Sequence, residues 1–428
     1  MTVQTAIDPV DTLIEQSKRV LPGGSFGNMP AEVILKEGRG GRIWDEAGNE
    51  YVDFLLGSGP MFAGHAHPEV TAAVQAQVPL GTTFFANNRH GIALAEAVVE
   101  AVPCADQVRF VCSGTEADLY AMRAARAFRK RDKILKFEGG YHGMSDYALM
   151  SLAPKRPGNF PRPVPDSAGI PKSVQDEMLV AAFNDIDMVR SLIEEQKDEL
   201  AGVIVEPFQR LIPPQPGFLQ ALREITAQHA IPLIFDEVVT GFRFSYGGAQ
   251  QYYGVTPDLC SLGKIVGGGF ALAAVAGRAD IMHHFDKLAA SEEDFITQIG
   301  TLSGNPVAAV AGLATLNVLK RPGTYEKVFA TGRELMGTLS GLLKQAGLPA
   351  QVIGEPPLFD VVFTDQPIRD YRDTLKGDAA LARRFNQLLR ARGIMKGESK
   401  YYVSLAHDRA EIDHTIAAWT DAIKALKS

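Results

Sequence analysis

Apolar and polar positions follow two different periods along this chain. From residue 68 onward, stretches with the apolar spacing of a helix alternate with short apolar runs. This alternation predicts an α/β fold in which helices wrap a mostly parallel sheet. The predicted helices are 68–77, 91–102, 117–129, 186–197 and 217–229, and the predicted strands are 107–111, 133–137, 200–205 and 232–235.

The two ends of the chain have a different pattern. The sequence predicts a helix at 11–21 and a hairpin over 41–54 with its turn at 46–49, and further helices at 325–345, 377–392 and 410–427. We therefore expect a large domain at 68–320, a small α+β domain at 321–428, and an N-terminal segment at 1–67 that joins the small domain. Residues 153–171 are rich in proline, which predicts an ordered loop or a mobile lid.

Composition and charge argue against several classes of protein for this chain. Apolar residues make up 46% of the 428 residues, which is typical of a globular protein rather than a disordered one. The net charge of −7 does not favour a nucleic-acid partner. We expect no membrane helix and no signal peptide, because no apolar run is long enough. Cys104, Cys112 and Cys260 form no CxxC pair, so we expect reduced thiols in a cytoplasmic protein.

Candidate chemistry follows the predicted strands, because ligands bind at the carboxyl ends of parallel strands. Ser113, Gly114 and Thr115 form a small-residue turn before a helix, which predicts either a phosphate site or an ordinary helix cap. Tyr141 and His142 follow the next strand, where they would either contact a flat ligand or pack in a glycine-rich turn.

Acidic residues end two further strands. Glu206 follows a buried strand, so its carboxylate needs either solvent or a partner. Asp236 and Glu237 are adjacent, and the period of a strand directs them to opposite faces. Paired carboxylates also occur in metal sites and glycosidases, but no matching cluster of histidines or acids follows, so we expect no metal.

Lys264 lies shortly before Gly267, Gly268 and Gly269. A lysine removed from water can act as a nucleophile, although a single lysine is more commonly a solvated charge. The order of residues does not fit a P-loop. Taken together, a phosphate turn, a stacking aromatic, an acid and this lysine are the parts of a pyridoxal 5′-phosphate (PLP) site, in which the acid keeps the ring nitrogen protonated.

Nearly the whole chain resembles the class III, fold type I, PLP-dependent aminotransferases. Glutamate-1-semialdehyde 2,1-aminomutase is the branch that it resembles most. The resemblance is carried by GHAHPE at 64–69, SGTEA at 113–117, KFEGGYHG at 136–143, FDEVVTGFR at 235–243 and GTLSGNP at 300–306.

The resemblance implies a role for each matching residue. Lys264 matches the lysine that forms the aldimine with PLP and moves the proton of the substrate, and Asp236 matches the partner of the ring nitrogen. Tyr141 and Val238 match the residues on the two faces of the ring. The remaining cofactor contacts that it implies are Ser113, Gly114, Thr115, His142, Glu206 and, from the partner subunit of a homodimer, Thr301.

The chain departs from the aminomutase pattern where the substrate would bind. The arginine that follows Pro-Gly-Gly in the aminomutases is absent here, and Ser58 replaces an aromatic residue. We therefore predict an aminotransferase that moves an amino group from an amine or amino acid to a keto acid or aldehyde, through pyridoxamine phosphate. Arg210 is our first choice for binding a substrate carboxylate, with Lys400 as another candidate, whereas Arg243 is expected to form a structural salt bridge.

Two other functions stay open at this stage. One is the aminomutase itself, an isomerase that needs only one substrate. The other is a binding or regulatory protein that keeps the fold without catalysis, although the presence of Lys264 argues against it.

Overall fold

Strands and helices alternate through the middle of the chain in the computed structural model, which describes residues 9–427. In chain order the strands are β1 Leu35–Arg39, β2 Arg42–Asp45, β3 Glu50–Asp53, β4 Gln107–Val111, β5 Lys133–Phe137, β6 Met178–Ala181, β7 Leu200–Val205, β8 Leu233–Glu237, β9 Leu259–Leu262, β10 Ala273–Gly277, β11 Gln351–Glu355, β12 Leu358–Val362, β13 Ile394–Met395 and β14 Tyr401–Tyr402. The α-helices are α1 Pro9–Val20, α2 Pro68–Gln77, α3 Arg89–Ala101, α4 Gly114–Arg129, α5 Lys172–Asp176, α6 Ile186–Gln196, α7 Phe218–Gln228, α8 Gly248–Tyr253, α9 Ala279–Met282, α10 Pro306–Leu319, α11 Thr324–Gln345, α12 Tyr371–Thr374, α13 Ala379–Arg390 and α14 Arg409–Lys427.

The central sheet has seven strands in the order β4-β10-β9-β8-β7-β5-β6. Strands β5 to β9 are paired in parallel, and β10 runs antiparallel to both of its neighbours. Every residue of β7, β8 and β9 is buried, because helices cover both faces of the sheet. The predicted α/β fold is confirmed, and the carboxyl ends of the parallel strands meet at one edge.

The predicted elements of this part are confirmed, with differences at their ends. Both acids of the Asp236-Glu237 pair lie within β8 rather than after it. Helix α4 begins at Gly114, before the predicted start at residue 117. Its first turn is stabilised by a capping box, in which Ser113 accepts a hydrogen bond from the backbone N–H of Glu116, and the Glu116 carboxylate accepts one from Ser113.

Helix α10 and strands β6, β9 and β10 were not predicted. Most of α10 is buried, because the helix packs against α2 and α3 and therefore has no polar face. An apolar run without a period cannot be assigned to a helix from its pattern alone. Strand β10 is rich in alanine, which has a low preference for strands, so it gives a weak signal.

Two smaller sheets are built from the ends of the chain. The predicted hairpin is confirmed as β2 and β3. Strand β3 also pairs in parallel with β13, so that Val52 lies opposite Ile394 in a sheet of order β1-β2-β3-β13. The third sheet has the order β11-β12-β14.

The proline-rich segment 153–171 is an ordered loop. Asp166 accepts hydrogen bonds from the backbone N–H groups of Leu152 and Ala153. Arg372 of α12 donates to the carbonyl of Gly158 and forms two hydrogen bonds with the buried carboxylate of Glu138, which follows β5. Arg372 thus joins the loop, the central sheet and the C-terminal part of the chain.

Within residues 9–427, no helix is both long enough and apolar enough to cross a membrane. Cys104 and Cys260 are buried, Cys112 is partly buried, and none of the three forms a disulfide.

Candidate active site

A cleft of about 240 Å³ lies at the edge where the parallel strands end. Most of the predicted cofactor residues line it, and they come from elements that are far apart in the sequence. These residues are Ser113, Gly114, Thr115, Tyr141, Asp236, Val238 and Lys264. We call this set the strand-end wall.

The phosphate turn lies at the start of α4. The capping box occupies the N–H of Ser113, whereas the N–H groups of Gly114 and Thr115, in the first helical turn, have no partner within the helix. A side chain at position 114 would meet Val238, since an added Cβ would lie 2.9 Å from the Cγ1 atom of Val238. The turn therefore has free donors, the positive end of a helix dipole, and close packing that requires glycine.

Asp236 and Glu237 have separate roles, as the period of a strand predicts. Asp236 faces the cleft, where its Oδ2 atom lies 2.7 Å from Nδ1 of His142 and its Oδ1 atom accepts a hydrogen bond from the N–H of Val238. The Glu237 carboxylate is fully buried and accepts hydrogen bonds from the backbone of α8 and from Thr240. Asp236 is thus the acid of the site, and Glu237 holds α8 in place.

The loop that carries Tyr141 is held by two buried charged residues. The Lys136 ammonium donates to the carbonyls of Gly140, Ala148 and Met150, and burial lowers the pKa of Lys136 to about 8. Glu206, also buried, accepts the N–H of Tyr141 at 3.0 Å. The buried Glu206 carboxylate therefore has a hydrogen-bond partner, the backbone N–H of Tyr141.

Lys264 follows β9 directly and has a left-handed backbone with a φ of +50°. Its side chain faces the cleft, and burial lowers the pKa of Lys264 below its usual value. At Gly268, a side chain would collide with the carbonyl of Ala311 in α10. The glycines after the lysine therefore let the turn pack closely against α10 and keep the lysine in the cleft.

Arg210 and Lys400 do not line the cleft itself but lie near Tyr141 and Lys264, which do, and we call this pair the cation wall. The Arg210 guanidinium lies 5.5 Å from the centre of the Tyr141 ring, and the Lys400 ammonium lies 5.9 Å from that of Tyr402. In the part of the chain that the structure describes, neither side chain forms an ion pair. Burial, followed by the charge of Arg210, lowers the pKa of Lys400 to about 7.

Arg243 is structural, but the expected salt bridge is wrong. The buried guanidinium donates to the carbonyls of Gly59 and Val239 and lies against the rings of Phe62 and Tyr402. Burial lowers the pKa of Arg243 to about 10. Backbone carbonyls and aromatic rings surround this cation where a carboxylate was expected, and its buried Nη1 atom has no hydrogen-bond partner among the described residues.

Six predicted residues do not line the cleft, namely Ser58, His142, Glu206, Arg210, Thr301 and Lys400. Ser58 and Thr301 are exposed, Ser58 in a turn with a φ of +68° and Thr301 shortly before α10. His142 lies behind Asp236, so its contact with the cofactor is indirect.

Two residues at the site were not predicted. Asp118, in α4, is buried and lines the cleft beside Asp236. Tyr402 of β14 contacts Arg243 and lies close to Lys264. Asp118 gives one signal in the sequence, since it is an acid on the otherwise apolar face of α4 that includes Ala117 and Ala121.

Comparisons with known proteins agree with this site. The sequence model of the family described as aminotransferase class-III matches residues 25–425. The chain belongs to the class III aminotransferases. It is therefore an enzyme that moves an amino group from an amine or amino acid to a keto acid or aldehyde, and its cofactor is PLP.

Solved structures of this family are similar over almost the whole chain. An omega-transaminase from Sphaerobacter thermophilus is 38% identical, with a TM-score of 0.93 and 99% of each chain covered. A beta-phenylalanine aminotransferase from Variovorax paradoxus is 31% identical, with a TM-score of 0.85, covering 97% of this chain and 94% of its own.

The expected closeness to the aminomutase branch is not confirmed. A glutamate-1-semialdehyde aminomutase from Pseudomonas aeruginosa PAO1 is 24% identical, with a TM-score of 0.86, covering 97% of this chain and 94% of its own. Its identity is well below that of the omega-transaminase, so this likeness shows the fold alone. The motifs that suggested the branch are those of the cofactor site, which these folds share.

The residues present fit PLP. The free N–H groups of the α4 turn suit its phosphate, Asp236 suits a protonated ring nitrogen, and Tyr141 and Val238 leave a flat gap between them. The distances among Asp118, His142 and Asp236 would also suit a metal ion. However, Asp236 accepts hydrogen bonds from the N–H of Val238 and from His142. These bonds orient its carboxylate to accept a further hydrogen bond from a protonated ring nitrogen.

Proposed function

We propose that this aminotransferase acts on substrates that carry a carboxylate, with an amino acid as donor and a keto acid as acceptor. The cation wall supports the proposal. Both cations are partly buried and neither has an ion-pair partner among the described residues, so a carboxylate that binds beside them gains charge-assisted hydrogen bonds. The side chains of Arg210 and Lys400 lie within reach of the cleft that holds Lys264, so a carboxylate bound between them would place the amino group of the substrate near the Lys264 ammonium.

We assign the following roles to the residues of the strand-end wall. Bound PLP supplies an electron sink that stabilises the negative charge left when a proton leaves the substrate. Lys264 Nζ binds the cofactor and moves this proton, which its lowered pKa favours because a neutral amine can accept it. Asp236 keeps a proton on the ring nitrogen. Ser113, Gly114 and Thr115 hold the phosphate, and Tyr141 and Val238 orient the ring. Glu206 supports Tyr141, and His142 supports Asp236.

We also propose that the enzyme is a homodimer in which Thr301 completes the phosphate site of the partner subunit. Thr301 lies outside the cleft of its own subunit. Beside it, Phe85, Ile92 and Ile299 are 69%, 60% and 74% exposed and line one groove, and Leu302 is 49% exposed. Burying these side chains against a second copy would remove apolar surface from water.

The aminomutase reaction is the second candidate. The shared cofactor motifs favour it, but the missing arginine after Gly24 and the cation wall argue against it.

We further propose the domain limits 1–67, 68–320 and 321–428. The pairing of β3 with β13 supports them, because it joins the N-terminal segment to the C-terminal domain. We also propose a cytoplasmic location, which the three unpaired cysteines support.

A panel of matched substrates tests the proposed function. The holoenzyme is given alanine or ethylamine, which differ by one carboxylate, with 2-oxobutanoate or propanal, which also differ by one carboxylate, as acceptor. We expect the acids to have the higher kcat/KM by about tenfold to a hundredfold, because a hydrogen bond to a charged group is worth about 1.5–3 kcal/mol. Equal values for acids and non-acids would contradict the carboxylate site.

A second experiment separates the two candidate reactions. Glutamate-1-semialdehyde is supplied alone, and 5-aminolevulinate is measured. An aminotransferase should convert glutamate-1-semialdehyde only when a second substrate is added, to 4,5-dioxopentanoate with a keto acid or to 4,5-diaminopentanoate with an amine donor. 5-Aminolevulinate formed over many turnovers from glutamate-1-semialdehyde alone would identify an aminomutase. Lys264→Ala should abolish both reactions and keep the circular dichroism spectrum, with the exposed Lys287→Ala as the matched control.

A further inference from the structure

Asp118 lies beside the acid of the cofactor site. It lies near the start of α4 and is only 1% exposed. One oxygen atom of Asp118, one of Asp236 and a ring nitrogen of His142 all lie within 4.8 Å of one another. The hydroxyl of Ser261, from β9, donates to Asp118 Oδ1 at 2.5 Å and lies 3.4 Å from Asp236 Oδ1. The two buried carboxyl groups therefore lie side by side at the wall of the cleft.

Two ionised carboxylates are not stable this close together without a cation between them. The charged or titratable groups that face the pair are His142, Glu206, Lys136, Lys264, Tyr141 and Lys400. Of these, Glu206 adds a third negative charge, Tyr141 adds no cation, Lys136 is used by three carbonyls, and Lys264 is used by the cofactor in the proposed function. Lys400 lies in the cation wall, against the ring of Tyr402. A His142 that carried protons on both ring nitrogens would bury its Nε2–H without an acceptor, because Nε2 has no hydrogen-bond partner among the described residues. One proton must therefore reside on the pair.

The hydrogen bonds decide which acid holds that proton. Asp236 has two donors of its own, the N–H of Val238 and Nδ1 of His142, and both stabilise its ionised form. Asp118 has one neutral donor, Ser261. Burial and the Asp236 carboxylate raise the pKa of Asp118 well above its usual value.

We propose that Asp118 is a positioning residue that stays protonated in the holoenzyme and donates a hydrogen bond to the Asp236 carboxylate. In this arrangement the cofactor ring nitrogen faces a single negative charge, that of Asp236, whose orientation is fixed by Asp118, His142 and Val238. The inference rests on the proposed role of Asp236 and assigns a further residue to it.

Infrared spectroscopy of the holoenzyme tests this protonation directly. Protein labelled with ¹³C in its aspartate carboxyl groups is compared at neutral pH with unlabelled protein, for the native chain and for Asp118→Asn. We expect a carboxylic-acid C=O band in the native enzyme that moves to lower frequency on labelling and is absent from Asp118→Asn. Two results would overturn the proposal. One is a native spectrum without the band, which would mean that both acids are ionised. The other is a band that persists in Asp118→Asn.

Cofactor binding supplies the second readout. An asparagine at position 118 keeps a neutral hydrogen-bond donor, so Asp118→Asn should change the dissociation constant for PLP by no more than about twofold. Asp118→Ala removes the donor and should weaken PLP binding about tenfold. Equal weakening in both variants would point to packing alone and overturn the proposal. If the infrared result holds but Asp236→Asn binds PLP normally, the role of Asp236 fails while Asp118 is still protonated.

Discussion

The strand-end wall and the cation wall of the cleft place their charges on different kinds of backbone. Asp236 lies within a buried strand and receives two hydrogen bonds, so its position is set before any ligand arrives. Arg210 has a left-handed backbone with a φ of +59° in a turn after β7, and Lys400 precedes β14 in another sheet. The first wall is held by hydrogen bonds within the protein, whereas the second consists of two cations on separate segments with no ion-pair partner among the described residues. This difference matches the proposed function, in which the first wall holds the cofactor and the second selects the substrate.

The strongest test of this contrast compares the two adjacent acids of β8. Asp236→Asn should lower kcat by about a hundredfold or more, because an amide cannot keep the ring nitrogen protonated. Glu237→Gln should leave the absorption spectrum of the bound cofactor unchanged and lower the free energy of unfolding by about 1–3 kcal/mol, since it weakens the hydrogen bonds that hold α8. Turnover and denaturant unfolding measure the two effects, and a spectral change in Glu237→Gln would contradict the separation of roles.

Removing the guanidinium from the cation wall should produce the next largest effect. Arg210→Ala should raise KM for carboxylate substrates by about tenfold to a hundredfold and leave KM for matched amines without a carboxylate unchanged, because one charged hydrogen bond is lost. Steady-state kinetics with both substrates measure the difference. The exposed Arg156→Ala is the matched control. An unchanged KM for every carboxylate substrate would remove Arg210 from the site.

The pH dependence should also differ between substrates. Lys400 is charged below its pKa of about 7 and neutral above it. The ratio of kcat/KM for a carboxylate substrate to that for a matched amine should therefore fall as pH rises through about 7, while effects of Lys264 cancel in the ratio. Lys400→Met should flatten the profile. Arg210→Ala should move its midpoint to higher pH, since Arg210 lowers the pKa of Lys400; a shift to lower pH would be inconsistent with the cation wall.

The smallest effect is expected at the contact between Gly114 and Val238. Gly114→Ala should weaken PLP binding several-fold, because the added methyl group would crowd Val238 at the phosphate turn. Val238→Ala makes room for this methyl group, so the double variant should bind PLP more tightly than Gly114→Ala alone. Fluorescence titration of the apoenzyme with PLP measures all three variants, and additive losses would show that the two positions are not coupled.

The sequence predicted the residues of the strand-end wall because short motifs mark them and the resemblance to the family joined these motifs. Glycine before a helix, an acid after four apolar residues, and a lysine before three glycines are readable in short windows, although each window alone left a second interpretation open. Asp118, in helix α4, was missed because its importance comes from Asp236, which lies in strand β8. Helix α10 was missed because burial on all sides removes the amphipathic period on which the prediction depends.

The role of Arg243 shows a different limit. Its motif predicted a structural residue, but the sequence does not show that Gly59, Val239, Phe62 and Tyr402 surround the guanidinium in place of a carboxylate. Likewise, the aminomutase branch was inferred from motifs that bind the cofactor. The cofactor motifs indicate the family, whereas the proposed substrate residues lie in segments such as 208–210 and 397–400, which none of these motifs includes.

The parallel pairing of β3 with β13 has a consequence for how the protein is made. Val52 leaves the ribosome long before its partner Ile394 is synthesised, and Arg42 must likewise wait for Glu411. The strands of the central sheet, in contrast, all lie between residues 107 and 277 and can pair earlier. The N-terminal hairpin is therefore left without its final neighbour during most of translation, and the small sheet should be the last part of the molecule to fold.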